Sequence, residues 1–219
     1  MTTGRPAGYS AISSYSRVEI LHLVQERPQR TIAEIATATK LHPNTVREHL
    51  QRLADEGYVV AATEHRTTRG RPRVLYSAAD GVRTSSPVQR RKARDAAARG
   101  DLMRRVLPNA ASSAIPADGA PHHAPLDTVA LHQVDALVDD LFDAGFEPLV
   151  DEDRLTVDLT PCAHARAQAE HRDVLCRVHL ELMQSVLQAA GGPLTVEGMR
   201  PSCDPSTCVV QLMSTDRAA

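Results

Sequence analysis

Residues 41–77 constrain this chain more than any other stretch, because a short amphipathic pattern, LHPNTVREHLQRLADEGYVV, runs directly into a segment loaded with arginine. Val46, Leu50 and Leu53 recur at spacings of four and three, so they share one helical face and turn the opposite face outward. Pro43 has the preset dihedral of a first helical position, and Gly57 suits the residue just past the end. Asn44, Thr45, Arg47, His49 and Gln51 are then candidates for reading duplex DNA, since Arg pairs bidentately with guanine and Asn with adenine in the major groove.

After Tyr58, two β-rich runs, residues 59–62 and 74–76, flank a polar segment containing Arg66, Arg69, Gly70, Arg71, Pro72 and Arg73, which predicts a hairpin with a charged tip. Arginines crowded on one loop repel one another, and a phosphate backbone or a narrow minor groove relieves that repulsion. The plain alternative is a solvated turn whose arginines serve only solubility.

Upstream, residues 17–24 read as one helix, and Thr31 followed by Glu34 forms a capping box opening a second. Thr31-Ile-Ala-Glu-Ile-Ala, Asn44-Thr-Val-Arg-Glu-His-Leu, Leu53-Ala-Asp-Glu-Gly-Tyr-Val and Gly70-Arg-Pro together resemble the winged helix-turn-helix domain of bacterial ArsR/MarR-type transcription regulators, over about residues 15–78. The resemblance implies binding to double-stranded DNA as a homodimer on two-fold sites.

The near-neutral total charge hides an asymmetry. Residues 1–106 hold 19 basic and 10 acidic side chains, a balance of +9, while residues 107–219 hold 6 and 17, a balance of −11. The acidic half is unsuited to lie along phosphates and is expected to sense or dimerise instead. The chain has no Trp, two Phe and four Tyr, so broad stacking platforms for single strands are lacking and duplex binding is favoured. No stretch approaches the roughly 20 apolar residues of a membrane span, and the expectation is a cytoplasmic protein without membrane contact.

The fold class that follows is α+β. A disordered N-terminus (1–14) precedes a winged helix-turn-helix domain (15–79), a basic helix and flexible linker (80–126), and a C-terminal α+β sensor and dimerisation domain (127–219). Residues 87–107 carry seven Lys or Arg among alanines and predict an exposed basic helix, which either extends the DNA footprint, crosses to a dimer partner or merely connects. His122 and His123 fall in the Pro/Ala/Ser/Gly-rich stretch behind it and read as linker residues. The second domain is predicted as a helix stopped at Gly145, strands at 147–150 and 155–159, a long helix near 173–190, and strands near 195–199 and 208–213.

All four cysteines, Cys162, Cys176, Cys203 and Cys208, lie in this second domain. In a cytosolic chain such a group points to a metal or redox site rather than a disulfide framework, although each cysteine taken alone reads first as a small buried hydrophobe. Cys176 and His179 stand three apart on a helix and project from one face, and Cys162 and Cys208 sit at strand ends. Thiolates with one imidazole suit Zn²⁺ or an iron–sulfur cluster, and the spacing does not choose between them. His164 and His171 are near Cys162 in sequence but are not read as ligands.

Asp158-Leu-Thr-Pro-Cys162, Val174-Leu-Cys176-Arg-Val-His179-Leu and Pro205-Ser-Thr-Cys208-Val resemble the C-terminal domain of the iron–sulfur-binding repressors of SUF cluster-assembly operons. The resemblance implies a 4Fe–4S or similar cluster on Cys162, Cys176 and Cys208 with His179 in reach, while Cys203 fits the pattern less well. It implies a transcription regulator, a repressor, that senses redox state or iron. Structural zinc with another signal or none is the alternative, and a reversible Cys203–Cys208 redox pair is a third. That third reading lacks a Cys-x-x-Cys motif at a helix start. No phosphate-binding glycine loop, nucleophile elbow or paired-carboxylate motif occurs, so no enzyme is expected.

Overall fold

The computed structural model describes residues 14–64, 72–79, 86–107, 125–160, 169–200 and 208–215. Helices α1 (Tyr15–Glu26), α2 (Ile32–Thr39) and α3 (Pro43–Asp55) are followed by an antiparallel hairpin of β1 (Val59–Thr63) and β2 (Val74–Ala78). Arg30 and Tyr76 exchange backbone hydrogen bonds of 3.0 and 2.8 Å, adding a one-residue bridge to the hairpin's second strand. That bridge has no counterpart in the sequence pattern, because one extended residue between helices leaves no periodicity.

The end of α3 is fixed by glycine. Tyr58 N–H donates to the Leu53 carbonyl at 2.9 Å and Gly57 N–H to that of Ala54 at 3.0 Å, with Gly57 at φ +88°. This paired bonding satisfies the last helical carbonyls and needs the left-handed conformation glycine adopts freely. A Cβ at Gly57 would also stand 2.9 Å from Ser86 Oγ, the N-cap of α4 (Pro87–Val106).

The exposed basic helix expected for residues 87–107 is only half correct. α4 runs antiparallel against α5 (Thr128–Ala144), and three of its cations are paired there: Lys92 with Asp143 at 3.2 Å, Arg99 with Asp139 at 2.6 Å, and Arg104 with both oxygens of Asp135 at 3.0 and 2.7 Å. Each partly exposed pair contributes little alone, about 0–1 kcal/mol, but a row of three fixes the register of the two helices. Ala93 and Ala96 are buried under the row, leaving Arg90, Arg91, Arg94 and Arg105 outward.

After α5, which Gly145 closes at φ +93°, come β3 (Leu149–Asp151), β4 (Thr156–Asp158), α6 (Ala169–Ala190), β5 (Leu194–Arg200) and β6 (Val209–Ser214). The four strands form one antiparallel sheet in the order β3-β4-β6-β5. Its core joins Leu137 and Leu141 of α5, Met183 and Leu187 of α6, and Val157, Val210 and Leu212 of the strands. Gln133, buried in α5, donates to the carbonyls of Leu187 and Leu194 and accepts from Leu194 N–H at 2.7 Å, clamping the α6–β5 turn.

Helix α6 belongs to two cores. Leu175, Val178 and Leu182 are buried with Val18, Leu21, Val24, Leu50 and Leu53 of the winged-helix unit, while Met183 and Leu187 face the sheet. Sequence pattern separates the two halves at a linker; the structure joins them through one helix.

Candidate nucleic-acid interface and cysteine site

The recognition surface is built on the α2–turn–α3 unit. Thr31 Oγ1 accepts from Glu34 N–H at 3.3 Å while Glu34 accepts from Thr31 N–H at 2.8 Å, the predicted capping box. The Thr31 N–H and then the Thr31 hydroxyl, both donating to Glu34 Oε2 at 2.8 Å, hold the Glu34 carboxyl below its ordinary range. Lys40 turns the chain at φ 58°, and His42 caps α3 by accepting from Asn44 N–H at 3.2 Å. Val46, Leu50 and Leu53 are completely buried, which fixes the rotation of α3 and aims Asn44, Arg47 and Gln51 outward.

These outward groups are pre-ordered. Arg47 Nη1 donates to Asn44 Oδ1 at 2.7 Å, and Gln51 Nε2 donates to Asp55 at 2.8 Å. Thr45 and His49 are half-buried at the flanks. Burial foremost, then Arg17, pushes His49 below the usual imidazole range, so it stays neutral at pH 7. Arg17 itself was not singled out in the sequence. It stands on α1, with its own pKa lowered by burial first and by Arg52 next, and so adds a cation beside α3. Its only sequence signal is position at the start of a helix that packs on α3.

On the hairpin, Arg73 is exposed and its carbonyl accepts from Glu64 N–H at 2.8 Å, extending the ladder toward the tip. Arg66, Arg69, Gly70 and Arg71 lie outside the described residues.

Of the candidate ligands, Cys162 and Cys203 also lie outside the described residues, as do His164 and the side chain of His171. Cys208 is buried immediately before β6. Its N–H donates to Thr160 Oγ1 at 3.2 Å, its carbonyl accepts from Leu159 N–H at 2.8 Å, and its sulfur is 3.8 Å from that of Met199. Cys208 therefore sits just past the end of β4, beside Thr160, which stands two residues before Cys162 in the sequence. The pairings of Asp158 and Arg200 with Val209 put the ends of β4 and β5 and the start of β6 at one sheet edge. Cys176 is half-buried on α6, and His179 is buried with its ring stacked on Phe146 at 4.4 Å and 9°.

Among the described residues no group of three His, Cys, Asp or Glu side chains forms a metal-binding set. The donor types are those that suit a soft or borderline metal: a half-buried thiol on α6, a buried thiol at the sheet edge, and a third cysteine two residues beyond Thr160 in the sequence.

Residues 14–60 match the family model described as the bacterial regulatory protein, arsR family, helix-turn-helix. The match spans α1 to the start of β1, so this region is similar to the helix-turn-helix of ArsR-type regulators. No curated protein and no solved structure matches the chain. Among the described residues, no helix is long and apolar enough to cross a membrane.

Proposed function

We propose that this protein is a cytoplasmic homodimeric transcription regulator, a repressor, that grips operator DNA with α3 and the arginine-bearing hairpin and holds an iron–sulfur cluster on Cys162, Cys176 and Cys208, with His179 in reach. The observation that carries the sensing half is the seat of α6: Leu175 and Val178, which flank Cys176, are buried in the winged-helix core against α1. A helix is stiff along its axis, so a displacement of the Cys176 turn is passed directly to the body that carries α3. A 4Fe–4S cluster, when bound, supplies a thiolate-linked centre that oxidants or iron shortage disassemble.

The chain's own residues do the rest. Cys176 ties α6 to the sheet edge where Cys208 sits, and release of that tie frees α6 to shift against α1. Such a shift changes operator affinity only if the two arrangements differ in their fit to DNA, and two half-sites in a dimer amplify that difference. Dimerisation is supported by the end of α4, where Leu102, Met103, Val106 and Leu107 are 51–65 % exposed. A second copy covering this stripe removes it from water.

The test is anisotropy of a duplex selected by the protein from a random pool, read with anaerobically purified protein before and after chelator and oxidant treatment. The proposal expects at least about a tenfold change in affinity, equivalent to 1.4 kcal/mol. Equal affinity in both states rejects the sensing role while leaving DNA binding intact.

A further inference from the structure

Between the winged-helix unit and α6 lies a cavity of about 470 Å³, inside the range of roughly 300–1,000 Å³ typical of small-molecule sites. Its apolar floor is Val24 and Pro28 at the end of α1 with Ala78 and Ala79 at the end of β2. The framework is held internally: Ser185 Oγ donates to the Ala79 carbonyl at 2.8 Å, Gln29 N–H to Ser77 Oγ at 3.0 Å, and Val196 N–H to Gln184 Oε1 at 2.7 Å.

Two acceptors of the wall are left for a guest. Gln25 Oε1 is buried and has no hydrogen-bond partner among the described residues, and Glu181, exposed at the rim, is the one charged side chain among the described lining residues. An amide oxygen without a donor beside a carboxylate favours a guest that brings both N–H groups and positive charge, and among the described residues neither Lys nor Arg lines the wall to supply them.

We infer that this cavity is a binding site for a small organic cation, an apolar or aromatic body resting on Val24, Pro28, Ala78 and Ala79 with its N–H groups directed to Gln25 and Glu181. The site is separate from the cysteines and does not depend on what they hold. Its walls come from β2, the second strand of the hairpin, and from α6, so occupancy and DNA binding are linked reciprocally.

The probe is proflavine, a flat tricyclic cation with N–H donors, titrated into the DNA-free full-length protein and followed by fluorescence anisotropy. The equally flat anion 9-anthracenecarboxylate is the charge control. Glu181→Gln removes the charge, and Gln188→Trp fills the mouth from an exposed helical position; both are checked for native circular dichroism. The expected result is one saturable site per chain, weakened at least about tenfold in each variant, with the anion bound at least about tenfold more weakly than proflavine. Absence of saturable proflavine binding, a smaller loss in either variant, or comparable binding of the anion overturns the inference.

Discussion

Arg47 Nη1 donates to Asn44 Oδ1 at 2.7 Å across one turn of the exposed face of α3, so the two side chains best suited to reading bases hold each other in place before DNA arrives. An arginine held this way loses less conformational freedom when it pairs with guanine. Replacing Arg47 by Ala is expected to cost about 1–3 kcal/mol on the preferred sequence and little on random duplex. Asn44→Ala is expected to reduce the same discrimination by freeing Arg47. Competition between selected and random duplex measures both.

For Arg73, at the described edge of the hairpin tip, the proposal assigns a different role. Arg73→Ala should weaken all duplexes alike and lower the salt slope by about one counterion. Titrations at several salt concentrations check it, and a loss confined to one sequence would contradict the phosphate assignment.

Asp140 on α5 links the α4–α5 interface to pH. Burial is the main cause that pushes its carboxyl up to about 6, with Asp143, Asp139 and Glu56 adding to the rise and Lys92 opposing it. The folded state therefore binds this proton more tightly than the unfolded chain, whose carboxyl titrates near 3.8. The resulting stabilisation is full below about pH 4 and is lost as pH rises to about 6. Asp140→Asn should raise stability at pH 7.5 by about 1–3 kcal/mol and flatten the pH dependence between those limits. Urea unfolding at pH 4.5, 6 and 7.5 measures it.

Gln133 is the polar clamp of the C-terminal core. Gln133→Ala leaves the Leu194 N–H and carbonyl buried without their partner and removes one of two donors to the Leu187 carbonyl, which keeps Gly191 N–H, a loss of about 2–4 kcal/mol from unsatisfied groups and a small cavity. Thermal and urea unfolding check this, and an unchanged midpoint would show that the α6–β5 turn holds without the clamp.

Local features were legible where one element determines its own form. Val46, Leu50 and Leu53 located the buried face of α3, the Thr31–Glu34 box opened α2, and Gly57 and Gly145 marked helix ends. Contacts between elements were harder to read. The abundance of Lys and Arg on α4 read as solvent exposure, yet Asp135, Asp139 and Asp143 recur every four residues on α5 and form the acidic stripe that receives them. Likewise, α6 has apolar residues on more than one face, with Leu175, Val178 and Leu182 on one side and Met183 and Leu187 on another. Periodicity identified a buried helix but not its two partners. The interdomain cavity left no pattern at all, since its lining comes from segments more than a hundred residues apart.

The proposed sensing role requires that the cysteines hold a cluster at α6, the helix that joins the two cores. Anaerobically purified protein should absorb broadly near about 400 nm, as thiolate-held iron–sulfur centres do, and contain matched iron and sulfide, with both lost in Cys176→Ser. A colourless protein, with zinc or with no metal, or a Cys176→Ser variant with an unchanged spectrum, would contradict it.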